Sequence, residues 1–475
     1  MTELIKADIC VIGGGSGGLS VAAGAAQMGA RTVLIEKGKM GGDCLNAGCV
    51  PSKALIAAAH AANVVRTSGK FGVNGHEPEV DFARVHDHVK GVIATIAPHD
   101  SVERFNGLGV NVIQGAARFV SPREVEVDGR RIRARRFVVA TGSSAALPPI
   151  PGLDQVPHLT NENVFDLTER PEHLIVIGGG PIGAELAQAH RRLGARVTLL
   201  EAFKILGKDD PEVTEIARKR LADDGVEMAE GIAIDQVAQR GNGIVVTITE
   251  DGAQREIAGS HLLVAAGRKA NVEGLGLEAA GIEFSPKGIV VDDRLRTSNK
   301  KVFAIGDVAG GYQFTHMAGY HAGIVIRNAL FALPAKVNYN AVPWVTYTDP
   351  EIAHVGQTEA QARERFGDQV KVVRWSFEEN DRAQAERETE GLVKVVLDAK
   401  GRILGASIAG PHAGELIQPW ILAIDRKLKI GAMASAIAPY PTLGEVNKRA
   451  AGSYYTPSLF SDRTRKIVGL LQRLP

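Results

Sequence analysis

Two cysteines lie five positions apart in the segment 41–53, GGDCLNAGCVPSK. Residues at this spacing on a regular helix are separated by about 7.5 Å along the axis, whereas a disulfide requires Cα atoms closer than about 7 Å. Pairing Cys44 with Cys49 therefore requires an irregular turn, which Gly48 and Pro51 bracket. A pair held in such a turn suits redox chemistry. The alternative is two unrelated buried thiols, since free cysteine often serves as a small core hydrophobe.

An internal repeat organises the elements around this pair, because residues 7–36 and 172–201 align without a gap. Each copy contains an apolar strand, a G-x-G-x-x-G turn, a helix of small residues and a second strand that ends in Glu. Such glycines allow a tight turn, close approach to a pyrophosphate and helix–strand packing, and the carboxylate binds a ribose 2′-hydroxyl. The residues are Gly13, Gly15, Gly18 and Glu36 in the first copy, and Gly178, Gly180, Gly183 and Glu201 in the second. Two full copies predict two dinucleotide cofactors that exchange electrons.

The second copy favours NADH over NADPH, because the Glu201 carboxylate would repel a 2′-phosphate. Lys204 and Lys208 follow closely and weaken this preference. Cys10 lies within the first apolar strand, where we expect an inert core residue.

Length and composition exclude several classes of protein. The chain of 475 residues is too long for one hydrophobic core and predicts two to four domains. A net charge of +1 and 5% aromatic residues argue against nucleic acid as a partner. Three cysteines are too few for an extracellular disulfide framework. The sequence contains no signal-like segment and no apolar stretch of about 20 residues, so we expect a cytoplasmic protein.

The remaining segments predict further strands and helices. Residues 112–139 predict a hairpin layer within the first domain, and residues 222–266 predict strands joined by glycine turns. Strands at 371–375, 392–397 and 403–409 alternate with amphipathic helices, as in an α+β module.

In this order, the motifs resemble those of the class I pyridine nucleotide–disulfide oxidoreductases over essentially the whole chain. The matching pieces are the two Gly-rich motifs, the cysteine segment, Ala140-Thr141-Gly142, Glu185, Ala266-Gly267-Arg268 and Ala304-Ile305-Gly306-Asp307. That family includes dihydrolipoamide dehydrogenase, glutathione reductase and mercuric reductase. The resemblance implies an α/β fold with two Rossmann-type dinucleotide-binding domains and a C-terminal α+β dimerisation domain. The expected segments are 1–148 and 270–342 for the two parts of the FAD-binding domain, 149–269 for the NAD(P)-binding domain, and 343–475 for the interface of a homodimer.

The resemblance also implies cofactors and roles. The first site would hold FAD and the second NADH, with NADPH less favoured. NAD(P)H would reduce FAD, which would reduce the Cys44–Cys49 disulfide. Cys49 would remain against the flavin as a thiolate, Cys44 would meet the substrate, and Lys53 and Glu185 would pair beside the flavin. The expected cofactor contacts are Gly13, Gly15, Gly18, Glu36, Gly42, Lys53, Gly115, Thr141, Gly142, Gly178, Gly180, Gly183, Glu201, Gly267, Arg268, Gly306 and Asp307, the last on the ribitol.

The chain departs from the family pattern at two positions. Disulfide reductases of the family usually carry a His-Pro near the C-terminus, supplied by the partner subunit, with a Glu five residues after the His. Here Tyr440 replaces that His, and Glu445 is present. A phenol with a pKa near ~10 is a poor base at neutral pH, whereas an imidazole near ~6.5 is well matched, so we expect slow disulfide turnover. His316 is a weaker candidate for the proton role, and Asp43, where many relatives have Thr, is predicted to raise the pKa of Cys44.

Three functions remain open. The first is reduction of a small-molecule or protein-borne disulfide or dithiol species. The second is reduction of a thiol-bound soft metal ion, because mercuric reductases also use Tyr near position 440. That branch also carries an N-terminal metal-binding domain and a C-terminal cysteine pair. We expect neither in this protein, whose sequence ends Arg473-Leu474-Pro475. The third is a redox-sensing or complex-docked flavoprotein.

The basic amphipathic segment 459–474 predicts either contact with an anionic membrane or, as the favoured alternative, packing on the dimer.

Overall fold

The computed structural model describes residues 4–474. Residues 1–3 and 475 lie outside the described residues. Part of what we expect of the two termini depends on them. Within the described range no helix has the length and apolar character needed to cross a membrane. Short 3-10 helices lie at Ser68–Phe71, Ala97–Asp100, Leu153–Gln155, Val164–Asp166, Glu278–Ala280, Gly306–Ala309, Gly367–Gln369 and Phe377–Glu379.

The first part of the chain forms one sheet. It contains the two strands of the first Gly-rich unit and the strands that follow them, including a hairpin. Its elements are β1 (Leu4–Ile12), α1 (Ser16–Gln27), β2 (Thr32–Glu36), α2 (Gly42–Asn46), α3 (Cys49–Thr67), α4 (Phe82–Ile96), α5 (Val102–Gly107), β3 (Val110–Gln114), β4 (Arg118–Ser121), β5 (Glu124–Val127), β6 (Arg130–Val139) and β7 (Ser143–Ala145). The strand order is β3-β2-β1-β6-β5-β4. β1 pairs in parallel with β2 and β6, whereas β4, β5 and β6 are antiparallel. The predicted hairpin is therefore present, but it extends this sheet instead of forming a separate layer.

The core of this sheet explains why its central strand is almost continuously apolar. Parallel strands are covered on both faces and bury successive side chains, and Ile9, Cys10 and Val11 are fully buried. Burial also raises the pKa of the Cys10 thiol far above its usual range. The prediction that Cys10 is an inert core residue agrees with this position.

The second Gly-rich unit begins a separate parallel sheet. Its elements are β8 (His173–Ile177), α6 (Pro181–Arg192), β9 (Arg196–Glu201), α7 (Pro211–Asp223), β10 (Glu227–Glu230), β11 (Ala233–Arg240), β12 (Gly243–Glu250), β13 (Ala253–Gly259) and β14 (His261–Val264). The parallel order is β10-β9-β8-β14, and β11-β12-β13 form an antiparallel sheet beside it. The strand-rich character predicted for 222–266 is confirmed from β10 onward.

The chain then returns to the first sheet. The elements of this return are β15 (Arg268–Ala270), β16 (Phe284–Ser285), β17 (Gly288–Ile289), β18 (Val302–Ala304) and α8 (Thr315–Ala329). β15 pairs with β7, and β18 pairs in parallel with β6. This return places the Gly306–Ala309 turn at the carboxyl end of β18, where the ligands of open α/β sheets usually bind.

The last part of the chain is a five-stranded antiparallel sheet covered by helices. Its elements are β19 (Pro343–Thr346), β20 (Glu351–Gly356), α9 (Glu359–Phe366), β21 (Lys371–Ser376), α10 (Asp381–Glu386), β22 (Leu392–Leu397), β23 (Ile403–Gly410), α11 (Ala413–Leu416), α12 (Gln418–Asp425), α13 (Ile430–Ala434), α14 (Glu445–Ser453), α15 (Thr456–Leu459) and α16 (Asp462–Leu471). The order is β19-β20-β23-β22-β21. The three predicted strands are confirmed to within one residue, and β19 and β20 are additional. The predicted α/β fold with a C-terminal α+β unit is thus confirmed.

A buried ion cluster joins this sheet to the second one. The Lys394 ammonium on β22 lies 2.8 Å from Asp210, 2.6 Å from Glu212 and 2.8 Å from Glu359. Asp210 caps α7 by accepting a hydrogen bond from the Glu212 N–H. A buried ammonium without partners would be costly, so this contact fixes α7 against the C-terminal sheet.

Candidate functional site

A large cleft runs between the two Gly-rich turns. Its volume is about 2380 Å³, and its walls come from all three parts of the fold. This is more than twice the upper end of about 1000 Å³ for a pocket that holds one drug-sized ligand. The cleft is therefore large enough for two dinucleotides.

The first Gly-rich turn opens onto one end of the cleft. A Cβ at Gly18 would overlap the Gly13 carbonyl, so glycine lets α1 pack directly on β1. The Glu36 carboxylate accepts hydrogen bonds from Gly14 N–H at 2.5 Å and Gly38 N–H at 2.6 Å. The start of α1 then presents unpaired N–H groups to the cleft, which suits a pyrophosphate.

The second turn repeats this geometry at the other end. Gly183 packs against the Gly178 carbonyl, and Glu201 accepts hydrogen bonds from Gly179 N–H at 2.6 Å and Phe203 N–H at 2.9 Å. A Cβ at Gly180 would meet nothing within 4 Å, so this position lies open to the cleft that it lines. The residues at both turns therefore fit dinucleotides.

The lysines after Glu201 also line the cleft. The ammonium of Lys204 lies 3.4 Å from Glu230, so its charge is partly compensated. Lys208 lines the same wall. The preference for NADH that Glu201 indicates stays a prediction.

The cysteines lie on either side of a break between two helices. α2 ends at Asn46 and α3 begins at Cys49, so the irregular turn predicted from their spacing is confirmed. A Cβ at Gly48 would lie 2.9 Å from the Asp43 carbonyl oxygen and 3.2 Å from the Cys44 Cα. Only glycine allows the two segments to approach this closely. Both cysteines are free thiols in this structure, and each has the largest influence on the pKa of the other.

The two thiols have opposite acidities. The hydrogen bond from Cys44 lowers the pKa of Cys49 to about 6, although burial opposes this, and Thr315 and the Lys53 charge lower it further. The same hydrogen bond and burial raise the pKa of Cys44 far above its usual range. At neutral pH, Cys49 is therefore the thiolate and Cys44 the thiol.

The predicted pairing of Lys53 with Glu185 is confirmed. Lys53 on α3 donates to the Glu185 carboxylate on α6 at 2.8 Å. The other carboxylate oxygen accepts a hydrogen bond from Tyr347 N–H at 2.8 Å, and the ammonium lies 4.3 Å from the Tyr347 ring centroid. Glu185 is 7% exposed, and a buried carboxylate needs such partners. One carboxylate therefore connects all three parts of the fold.

The prediction for Asp43 requires correction. The pKa of Cys44 is raised, as expected, but Cys49 and burial are the causes. The Asp43 carboxylate accepts a hydrogen bond from Asn161 at 2.9 Å and lies 3.2 Å from the Arg268 guanidinium. Its charge is thereby compensated, and it connects the thiol segment to two distant parts of the chain, the loop at Asn161 and the start of β15.

Arg268 continues this polar network toward Asp307. Arg268 donates to the Ser143 hydroxyl at 2.7 Å, and that hydroxyl donates to the Asp307 carboxylate at 2.6 Å. Burial raises the pKa of Asp307. Next to it, Gly306 N–H donates to His321 Nδ1 at 3.2 Å. Burial lowers the pKa of His321 to about 4, so this ring is neutral and donates from Nε2 to the Tyr339 hydroxyl.

The other predicted FAD contacts gather along the same wall. Thr141 donates its hydroxyl proton to the Asn271 carbonyl at 2.8 Å, which fixes the turn after β6. The predicted residues that line the cleft here are Gly42, Gly115, Thr141, Gly142, Arg268, Gly306 and Asp307. Gly267 directly precedes Arg268 and has a positive φ of 134°. The geometry fits a dinucleotide that extends from Glu36 toward the cysteines.

Tyr440 and Glu445 are not brought to this cleft within one chain. Tyr440 is 68% exposed and donates its hydroxyl proton to Asp381 at 3.0 Å. That hydrogen bond raises the pKa of Tyr440 above its usual range. Glu445 begins α14 and lies 3.8 Å from Arg449. Their action at the partner subunit's cleft stays a prediction.

His316 lies in the cleft wall as a packing and hydrogen-bonding residue. Its Nε2–H donates to the Pro343 carbonyl at 2.9 Å, and its ring stacks on Phe314 with centroids 5.1 Å apart. Burial lowers the pKa of His316. This position agrees with the weaker proton role that the sequence predicts.

Several functional neighbours could not be found from motifs. Thr315 contacts Cys49 at 3.7 Å, Tyr347 covers the Lys53–Glu185 pair, and Asn161 and Ser143 complete the Asp43–Asp307 network. Each of these residues lies in a loop or at an element end far along the chain from its partner. The sequence carries no local signal for such contacts.

Comparisons with known proteins agree with this geometry. A family model described as pyridine nucleotide-disulphide oxidoreductase matches residues 7–322, and the model of the corresponding dimerisation domain matches residues 342–451. A mercuric reductase of Bacillus cereus is 38% identical over 446 residues, which cover 93% of this chain and 70% of that protein. A dihydrolipoyl dehydrogenase of Geobacillus stearothermophilus is 36% identical over 456 residues, 94% of this chain and 96% of that protein. The structure of a Cu(II) complex of the HOCl-induced flavoprotein disulfide reductase RclA from Escherichia coli matches with a TM-score of 0.85 and 29% identity, covering 94% of this chain and 99% of that one.

Proposed function

Because this chain belongs to the pyridine nucleotide-disulphide oxidoreductases, we propose that it passes electrons from NADH through the Cys44–Cys49 pair to a disulfide substrate. The observation that carries this proposal is the position of the thiol pair. Cys49, with its lowered pKa, lies beside the Lys53–Glu185 ion pair in a cleft that reaches both Gly-rich turns. The matched dimerisation domain supports a homodimer.

The cofactors supply the redox chemistry that protein side chains lack. FAD, when bound, would supply the two-electron chemistry that couples oxidation of NADH to cleavage of the Cys44–Cys49 disulfide. The first Gly-rich turn, Glu36 and Asp307 would hold FAD, and the second turn and Glu201 would hold NADH. Lys53 would stabilise negative charge at the junction of the two sites, because an ammonium in a water-poor cleft attracts it strongly.

The thiols would then carry out two exchange steps. Deprotonated Cys44 attacks one sulfur of the substrate disulfide, which forms a mixed disulfide and releases the first substrate thiol with the Cys44 proton. The Cys49 thiolate next attacks the Cys44 sulfur, which restores the Cys44–Cys49 bond and releases the second substrate group as a thiolate. Thiolates, not thiols, are the nucleophiles in such exchange.

Deprotonation of Cys44 is the difficult step in this sequence. Its thiol has a raised pKa, and Tyr440 carries a proton committed to Asp381. We therefore expect Tyr440→His to increase kcat with lipoamide by about 100-fold, the range of general base catalysis. The pH–rate profile should gain an acid limb near the histidine pKa. An unchanged kcat and profile would show that proton removal is not the deficit.

A soft metal ion is the second candidate acceptor. Thiolates are the ligands that soft metals prefer, and binding of a metal by Cys44 and Cys49 replaces their protons without a histidine base. The mercuric reductases among the relatives and the Cu(II) complex of the structural neighbour support this alternative. Action on mercury and binding of Cu(II) are properties of those proteins, as their names state.

Side-by-side assays distinguish the two acceptors. Anaerobic NADH oxidation by the purified homodimer would be measured with lipoamide, oxidised glutathione, and Hg(II) in excess thiol. Turnover with either disulfide supports the first function, and turnover with Hg(II) alone supports the second. Negligible turnover with all three would contradict both and favour a redox-sensing or complex-docked flavoprotein.

Cofactor choice has its own test at Glu201. Glu201→Arg should change the ratio of kcat/KM for NADPH over NADH by about 10- to 100-fold, the value of one charge-assisted hydrogen bond. The guanidinium would replace repulsion of the 2′-phosphate with attraction. The matched control is Glu36→Arg, which changes the corresponding carboxylate of the first turn and should reduce FAD content without changing this ratio. An unchanged ratio in Glu201→Arg would remove Glu201 from the ribose site.

A further inference from the structure

The C-terminal helix carries an apolar face that no part of the described chain covers. None of the ten residues of α16 is buried. The exposed apolar residues of this region are Leu459, Phe460, Ile467, Val468, Leu470, Leu471 and Leu474. Leu470 is 65% exposed and Phe460 67%. Single exposed apolar residues are normal, but a contiguous set marks an interaction surface.

The apolar residues of this helix gather on one side of its axis. Successive residues turn by about 100° around a helix axis. Ile467, Leu470 and Leu471 therefore share one face. Arg465 lies on the opposite side, and Lys466 lies at the border between the two faces. Arg463, four residues before Ile467, lies on the apolar side at the start of the helix. The helix is thus amphipathic, with its other basic side chains beside and behind the apolar face.

Charge is also concentrated in this segment. Residues 459–474 contain four basic residues and one acidic residue, whereas the whole chain has a net charge of +1. The acidic residue, Asp462, lies in the first turn of α16, where a negative charge complements the helix dipole. Its carboxylate lies 3.8 Å from Arg465 and compensates part of that charge. The segment as a whole keeps an excess of positive charge.

We propose that α16 docks this enzyme onto an anionic phospholipid surface. An amphipathic helix with Lys and Arg on one face and Leu on the other lies in the membrane interface, where its apolar face enters the acyl boundary. Its basic side chains meet the lipid phosphates. The two α16 helices of a homodimer would engage the same surface and strengthen the attachment.

A second copy of the chain fits this face less well. The match to the family's dimerisation domain ends at residue 451, before α15 and α16. Two α16 helices packed directly against each other across a two-fold axis would bring the basic side chains of both protomers together. The net positive charge instead complements an anionic surface.

Vesicle binding tests this proposal with the full-length FAD-loaded dimer. Sedimentation with phosphatidylcholine vesicles would be compared with vesicles that also contain phosphatidylglycerol. We expect binding to the anionic vesicles only, weakened by salt because ions screen exposed charges. Leu470→Glu combined with Leu471→Glu should weaken binding by at least about tenfold, since each buried leucine contributes substantially. The matched control is Phe71→Glu with Val73→Glu, which changes two exposed apolar residues of another surface and should bind as the unaltered protein does.

Three results would overturn the proposal. The first is no binding to anionic vesicles, and the second is equal binding of the Leu470/Leu471 variant. The third is conversion of that variant from dimer to monomer in light scattering, which would show that a second copy covers the face. Thermal unfolding of each variant provides the check that the fold is intact.

Discussion

Replacing Cys44 with serine should abolish turnover with every disulfide acceptor, by at least about 1000-fold, the scale of losing a nucleophile. Serine cannot form the mixed disulfide, so no electrons leave the protein by this route. The Cys49 thiolate would remain, because Lys53 and Thr315 still lower its pKa. The serine hydroxyl can still donate a hydrogen bond to the Cys49 sulfur, so the pKa of Cys49 should stay below its usual range.

The measurement is anaerobic NADH oxidation with lipoamide, together with iodoacetamide alkylation of the reduced protein. The matched control is Cys10→Ala, because Cys10 is fully buried in β1 and does not line the cleft. It should retain nearly full turnover. If Cys44→Ser kept a substantial rate with lipoamide, electrons would leave by another route and the proposed exchange steps would be wrong.

The second large effect is expected at Lys53. Lys53→Met removes the ammonium that favours the Cys49 thiolate and leaves the buried Glu185 carboxylate without its partner. A nearby opposite charge lowers a pKa by about one unit or more, so its removal should raise the pKa of Cys49 from about 6 toward about 7. Turnover should fall roughly 100-fold, as when one preorganised electrostatic partner is lost.

The sign of the pH dependence follows from this shift. Cys49 is a thiolate above its pKa and a thiol below it. The acid limb of alkylation against pH should therefore move to higher pH in Lys53→Met. The control is Lys90→Met, because Lys90 lines the same cleft but pairs with Asp166. An unmoved acid limb in Lys53→Met would show that Lys53 does not stabilise the thiolate.

The features that depend on local residues could be predicted from the sequence. The two Gly-rich units are complete within thirty residues each, so their strands, turns, helices and carboxylates align by residue type and spacing alone. The break between Cys44 and Cys49 likewise follows from their spacing and from Gly48. These motifs are sufficient to predict the fold class and the general position of the site.

Contacts between distant segments could not be predicted in the same way. Because Asp43 directly precedes Cys44, its carboxylate is predicted to raise the pKa of that thiol. In the structure the carboxylate instead pairs with Arg268 and Asn161. Burial and partner geometry, which the sequence does not display, decide such pairings. Tyr440 is a different case. Its proton is held by Asp381 within one chain, and its predicted action at the cleft would require the second subunit.

The contact among Lys53, Glu185 and Tyr347 has a consequence for how the protein unfolds. Each member belongs to a different sheet region, and the contact lies inside the cleft. Regions joined through shared buried charges cannot open independently, because separation would leave Glu185 unpaired. Together with the Lys394 cluster, this contact should make the three regions melt in one cooperative transition. A destabilising substitution in any one sheet would then lower the melting temperature of the whole chain.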